Sequence, residues 1–102
     1  MKIGVAAMGE SLDADVSDQF ARCPFFLIVD SQSMGFESFA NPAAAMPGGA
    51  GPAAVQEIVN RGARVAVAGR LGPKAEQALQ AAGLRFVAAS GRIRDAVAAC
   101  GA

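Results

Sequence analysis

From Arg64 onward the chain states one pattern twice. Arg64-Val65-Ala66-Val67-Ala68-Gly69 is a short run of small and β-branched residues. After the turn Arg70-Leu71-Gly72, Pro73 opens a segment with Ala75, Ala78, Leu79 and Ala82 at helical spacing, and Gly83 closes it. Leu84-Arg85-Phe86-Val87-Ala88-Ala89 again reads as a strand, and beyond Ser90-Gly91 the residues Ile93, Ala96, Val97 and Cys100 share one helical face. Proline is tolerated in a first helical turn and glycine favours a helix stop. Near-continuous apolar runs of this length suit strands buried on both faces, which is how parallel strands sit beneath covering helices. Two strand–helix units therefore commit this half of the chain to an α/β layer architecture.

The first half adds strands of a different kind. Ile3-Gly4-Val5-Ala6-Ala7 is another buried-type run, followed by a long excursion from Met8 to Cys23. Within it, Ser17 is placed to cap a single helical turn that points Phe20 inward. Pro24-Phe25-Phe26-Leu27-Ile28-Val29-Asp30 has the strongest β character in the chain. Ser31-Gln32-Ser33-Met34-Gly35 reads as a turn, and Phe36-Glu37-Ser38-Phe39-Ala40 returns as a partly wet edge strand, ended by Asn41-Pro42. From Pro52, the residues Ala54, Val55, Ile58 and Val59 define a helix that Gly62 stops. The order β-β-β-α-β-α-β-α predicts a mixed five-stranded sheet, mostly parallel with one antiparallel member. Right-handed crossovers place helices on both faces. The length, 102 residues, suits one domain with one core, residues 1–102.

In such a sheet, ligands bind beyond the carboxyl ends of the parallel strands. Three connections should meet there: Met8 to Cys23, Asn41 to Gly51, and Gly69 to Gly72. The second is the unusual one. Asn41-Pro42-Ala43-Ala44-Ala45-Met46-Pro47-Gly48-Gly49-Ala50-Gly51-Pro52 carries no charge, no aromatic residue and no periodicity. Connections of this length are uncommon unless they bind something. A glycine-rich loop leading into a helix exposes N–H groups beside a positive dipole end, which suits an anion. The plainer reading is a flexible connector.

Composition removes several classes of function. Net charge is zero and the basic residues are scattered, which argues against a nucleic-acid surface. No apolar run is long enough to span a bilayer. Glu10 interrupts the apolar start too early for a signal peptide, so the expectation is a soluble cytoplasmic protein. The two cysteines, Cys23 and Cys100, lie far apart and are expected as thiols. Histidine is absent, which removes the commonest general base and metal ligand.

With these elements placed, a resemblance becomes visible. Ser17-Asp18-Gln19-Phe20-Ala21-Arg22-Cys23-Pro24-Phe25-Phe26-Leu27-Ile28-Val29-Asp30 resembles the S-x-x-F-G-R-A-P-x-F-x-I-V-D signature of the dinitrogenase iron–molybdenum cofactor biosynthesis family, which includes NifX-like proteins and the C-terminal domain of NifB-like proteins. Asn41-Pro42 with Gly49-Ala50-Gly51 resembles its N-P … H-G-A-G stretch. Gly69-Arg70-Leu71-Gly72-Pro73-Lys74-Ala75 and Ala82-Gly83-Leu84 resemble its G-x-x-G-x-x-A … A-G-I stretch. The resemblance implies a three-layer α/β fold of the ribonuclease-H-like type. It also implies a non-enzymatic protein that binds, carries or stores a metal–sulfur cofactor of the iron–molybdenum type or its precursor, working with cofactor-assembly or acceptor proteins. Two departures stand out. Met46-Pro47-Gly48 replaces the region of the family's histidine, and Cys23 stands where the signature has alanine.

The candidate cofactor-binding residues are Arg22, Cys23, Met46, Gly48, Gly49, Ala50, Gly51 and Arg70. Cys23 is either a thiolate ligand to a soft metal or a small residue packed under its loop. Met8 and Met46 offer thioethers or fill gaps. Arg22 and Arg70 either meet an anionic cluster or form surface ion pairs. Lys74, in a first helical turn, suits a bound anion or plain solvation. Cys100 reads as packing. Asp13, Asp15 and Asp30 do not make a two-metal nuclease set, because the first strand supplies no carboxylate. The rival functions are a sensor of a small anionic ligand or nucleotide phosphate, and an interaction module using Phe36 to Ala40 as a pairing edge.

Overall fold

The structure is a computed structural model describing residues 1–100. Its strands are β1 (Lys2–Ala7), β2 (Phe25–Asp30), β3 (Phe36–Ala40), β4 (Val65–Ala68) and β5 (Arg85–Ala88). Its helices are α1 (Ala50–Asn60), α2 (Pro73–Ala82) and α3 (Ile93–Cys100). They form one mixed sheet in the order β3-β2-β1-β4-β5. β2 is antiparallel to both β1 and β3, whereas β4 runs parallel to β1 and to β5. The expected element order and single reversed strand are therefore present. β3 is the expected wet edge.

Alternation along the buried strands divides the core in two. Ala6, Phe26, Ile28, Ala66 and Ala68 face Ala50, Ala54, Val55 and Ile58 of α1 and Ala75 and Leu79 of α2. Ile3, Val5, Leu27, Val29, Val65 and Val67 face Ile93, Ala96 and Val97 of α3, with Leu12 and Val16 completing that layer. Each large aliphatic side chain so covered contributes about 1.5–3 kcal/mol. The small residues fall mainly on the side that must accommodate two helices. Phe20 points inward as expected and stacks edge-on against Phe26, with ring centres 5.3 Å apart.

Two local expectations are corrected. α1 begins at Ala50, before Pro52, because Ala50 is buried against the core and holds the first turn in place. Ser17 caps no helix. Its hydroxyl closes a turn on itself, accepting from the Gln19 N–H and donating to the Gln19 carbonyl. The β2–β3 connection is a turn as expected, with Met34 in the left-handed region at φ 61°. Asp30 fixes that turn by accepting the Gln32 N–H at 2.9 Å. Gly62 and Gly83 stop α1 and α2 as expected, at φ 89° and 75°.

The topology sets where a site can form. β1, β3, β4 and β5 all end at the same rim, and β2 begins there. The opposite rim carries only short connections. No described helix is long and apolar enough to cross a membrane.

Candidate functional site

The first connection does not simply pass over the rim; it enters it. β1 and β4 pair from Ile3 with Val65 to Val5 with Val67. Beyond that point Ser17 takes up the gap. Its N–H donates to the Ala6 carbonyl at 2.7 Å, and its carbonyl accepts from the Gly69 N–H at 2.9 Å. The Asp18 carbonyl accepts from the Arg70 N–H at 2.8 Å. The crevice between the parallel strands is thus filled by backbone, and the open surface lies outside it. There, Gln19, Phe20, Ala21, Arg22, Arg70, Leu71 and Gly72 line a depression of about 290 Å³.

The second connection is fastened to the first by two side chains. Arg22 Nη1 donates to the Ala44 carbonyl at 3.0 Å and also to the Met46 carbonyl. Asn41 is the inner bolt. It is buried, and its Nδ2 donates to the Ala21 and Cys23 carbonyls, both at 2.9 Å, while Oδ1 accepts the Ala43 N–H at 3.0 Å. The second and third connections meet through the helices that follow them. A β-carbon added at Gly51, in the first turn of α1, would lie 3.0 Å from the Ala75 backbone nitrogen in the first turn of α2. Two helix N-termini, each with unpaired N–H groups and a partial positive charge, therefore stand side by side at this rim.

The charged groups at this rim are exposed. Arg70 Nη2 lies 2.9 Å from Asp18 Oδ2, with both side chains 71% exposed. An ion pair this open is worth little in water, so its guanidinium is available to a stronger anion. Arg22, Arg70 and Lys74 supply positive charge, with Asp18 and Glu76 opposing it. The three expected connections do meet, and Arg22 and Arg70 line one depression.

Cys23 behaves differently from an exposed ligand. It is 1% exposed, and Asn41 Nδ2 lies 3.6 Å from its sulfur. Burial pushes the thiol up to about 12, despite backbone hydrogen bonding at Ala7 and the Asn41 contact acting the other way. The sulfur is enclosed beneath the Asn41 amide and faces the interior rather than the open rim. Met46 is half-buried against the α1–α2 side of the core, and Ala50 is buried there too. Gly48 and Gly49 are exposed. Met8 is exposed as well, and Cys100 packs against the α3 layer as expected. Among the described residues, no group of three or more Cys, Asp or Glu side chains is gathered to hold a metal ion.

The sequence matches the family described as dinitrogenase iron-molybdenum cofactor over residues 1–102. The chain belongs to that cofactor family. Among solved structures, it is similar to the apo form of the orange protein from Desulfovibrio gigas, at 38% identity and TM-score 0.89, covering 94% of this chain and 82% of that one. It is also similar to a NifB-like protein from Thermotoga, at 32% identity and TM-score 0.82, covering 97% of this chain and 85% of that one. A dinitrogenase-related protein from Methanocaldococcus jannaschii shares the fold at 14% identity and TM-score 0.66, covering 99% and 88%. No curated protein matches the chain.

Seen within the cofactor family, both departures noted in the sequence have a structural setting. Cys23 occupies a small buried position under Asn41, where the signature's alanine also fits. Met46 hangs beside Gly49, its methyl 3.9 Å from where a β-carbon there would stand. Two residues carry more of the site than their sequence signal suggested. Asn41 reads as a strand stop before proline and as part of the family's N-P stretch, yet neither reading says that it joins two connections. Asp18 lies inside the signature without a charge pattern, yet it holds Arg70.

Proposed function

We propose that this member of the cofactor family binds and carries a metal–sulfur cofactor of the iron–molybdenum type, or a precursor of it, without transforming it. The cargo is held by charge and shape rather than by a thiolate of the chain. The observation that carries this reading is the convergence of Arg22, Arg70 and the first turns of α1 and α2 on one open rim. Thiometallate clusters are anionic, and that rim presents cations and N–H donors. Gly48, Gly49 and the first-turn amides of Ala50 and Gly51 approach the cargo through backbone, and Cys23 supports the loop from below. The order β3-β2-β1-β4-β5 with only β2 reversed supports the ribonuclease-H-like type. Both described cysteines are free thiols, which suits a reducing cytoplasm. Exchange partners are cofactor-assembly or acceptor proteins.

The test uses purified apo-protein titrated anaerobically with tetrathiomolybdate and, separately, with isolated iron–molybdenum cofactor. Visible absorption and metal analysis after gel filtration report binding. Each charge-assisted contact is worth about 1.5–3 kcal/mol, so Arg22→Ala or Arg70→Ala weakens binding roughly 10-fold or more. Cys23→Ala binds as the wild type does. Equal binding by the double arginine variant, or loss of binding in Cys23→Ala, overturns the proposal. The rim also admits a simpler oxyanion, because helix N-termini do not distinguish sulfur from oxygen ligands. Thermal stabilisation by phosphate with none by thiometallates would favour that sensor reading.

A further inference from the structure

The three cations of the rim are not equivalent. Arg22 is engaged by the Ala44 and Met46 carbonyls, and Lys74 makes no ion pair among the described residues. Arg70 alone of the three is matched by a carboxylate, that of Asp18. The backbone sets this pair up. The Gly69 and Arg70 N–H groups donate to the Ser17 and Asp18 carbonyls, and Gln19 bridges to Arg70 in the parallel sense. A short ladder thus holds the two charged residues side by side. Gly69 has no positive φ that would call for glycine. What its missing side chain admits is Asp18: a β-carbon at Gly69 would lie 2.7 Å from Asp18 Oδ1 as well as from its Cα. One carboxylate oxygen therefore rests over Gly69 and the other on Arg70. The carboxylate enters no other ion pair among the described residues. Glu76 lines a depression with Arg70 but makes no ion pair with it.

We infer that Asp18 is the rim's own counter-anion, holding Arg70 until an anionic ligand displaces it and so setting how tightly the rim binds. The ladder keeps the two residues together, so the carboxylate competes from within the chain and at a fixed, high effective concentration. The competition is mild, because both side chains are open to water. Once displaced, the carboxylate stays close and repels the ligand that replaced it. Together these effects weaken anion binding by roughly 3- to 10-fold. As the ligand leaves, Asp18 closes on Arg70 again, which favours release. The inference rests on the reading of this rim as an anion seat, but not on the anion being a metal–sulfur cluster.

Anaerobic calorimetric titration with tetrathiomolybdate and, separately, with inorganic phosphate tests it, with circular dichroism confirming that each variant folds. Asp18→Asn should bind roughly 3- to 10-fold more tightly than the wild type. The gain should vanish when Arg70→Ala is added, whereas a general loss of negative charge would act with or without Arg70. In nitrogen-15 spectra, the Arg70 Nε–H signal of the wild type should move when the anion is added, in the direction in which Asp18→Asn alone moves it. Unchanged or weaker binding by Asp18→Asn, a gain that survives Arg70→Ala, or an Arg70 signal that ignores the anion overturns this inference and leaves the carrier reading standing. Tighter binding of phosphate by Asp18→Asn, with no binding of tetrathiomolybdate, supports the inference and overturns the carrier reading. Absence of binding by either probe to both proteins overturns the two together.

Discussion

Replacing Asn41 by alanine should damage this protein more than its small size suggests. The side chain is 6% exposed and makes three hydrogen bonds of 2.9–3.0 Å, two donated to the Ala21 and Cys23 carbonyls and one accepted from Ala43. A neutral hydrogen bond contributes about 1 ± 0.5 kcal/mol net, and a buried group left unpaired costs about 1–3 kcal/mol. Water can reach part of the loop, so the expected loss is about 3 kcal/mol rather than the upper sum. Urea unfolding measures it. With a slope of about 1–3 kcal/mol per molar for a small protein, the midpoint should fall by roughly 1–3 M with the slope unchanged. Asn60→Ala is the control, since its bond with Gln56 is exposed, and it should cost less than about 0.5 kcal/mol. Thiometallate binding should weaken as well, because the two connections are no longer bolted together. A loss for Asn41→Ala below about 1 kcal/mol would refute the reasoning, since the connections would then be held by something other than this amide.

Other outcomes follow from the same geometry. Because the folded Cys23 thiol sits near 12 against an ordinary 9.0, its contribution is intact below pH 9 and is lost as pH rises toward 12. Stability should fall there by about 1.4 kcal/mol per pH unit from this group, and Cys23→Ala should remove that component of the slope in alkaline unfolding curves. Gly69→Ala places a β-carbon 2.7 Å from the Asp18 Cα, so the first and third connections must separate; calorimetry should show a loss of about 1–3 kcal/mol. Arg70→Ala should change unfolding free energy by less than about 0.5 kcal/mol while weakening thiometallate binding, which separates the residue's role in the site from any role in the fold.

The architecture was legible because it rests on local signals. Glycine stops at Gly62 and Gly83, the strong β content of Phe25 to Val29, and the strand–helix alternation after Arg64 together dictate the element order. That order alone brings the three connections to one rim. What could not be read depends on contacts between distant residues. Nothing near Cys23 in the chain says that an amide eighteen residues on will sit over its sulfur. Ser17 looks like a helix cap because the carbonyl of Ala6 and the amide of Gly69, which claim its backbone, are far away in sequence. The start of α1 was misplaced because Gly-Gly-Ala-Gly has poor helix propensity, and packing of Ala50 overrides it.

For the carrier role proposed above, the backbone of Ser17, lodged where β1 and β4 part, has a consequence for delivery. A molecule seated here has no deep cleft to sink into and rests on the shoulder of the fold, with one side bare. An acceptor could touch that bare side before release begins. Handover would then require neither unfolding of the donor nor a free ligand in solution.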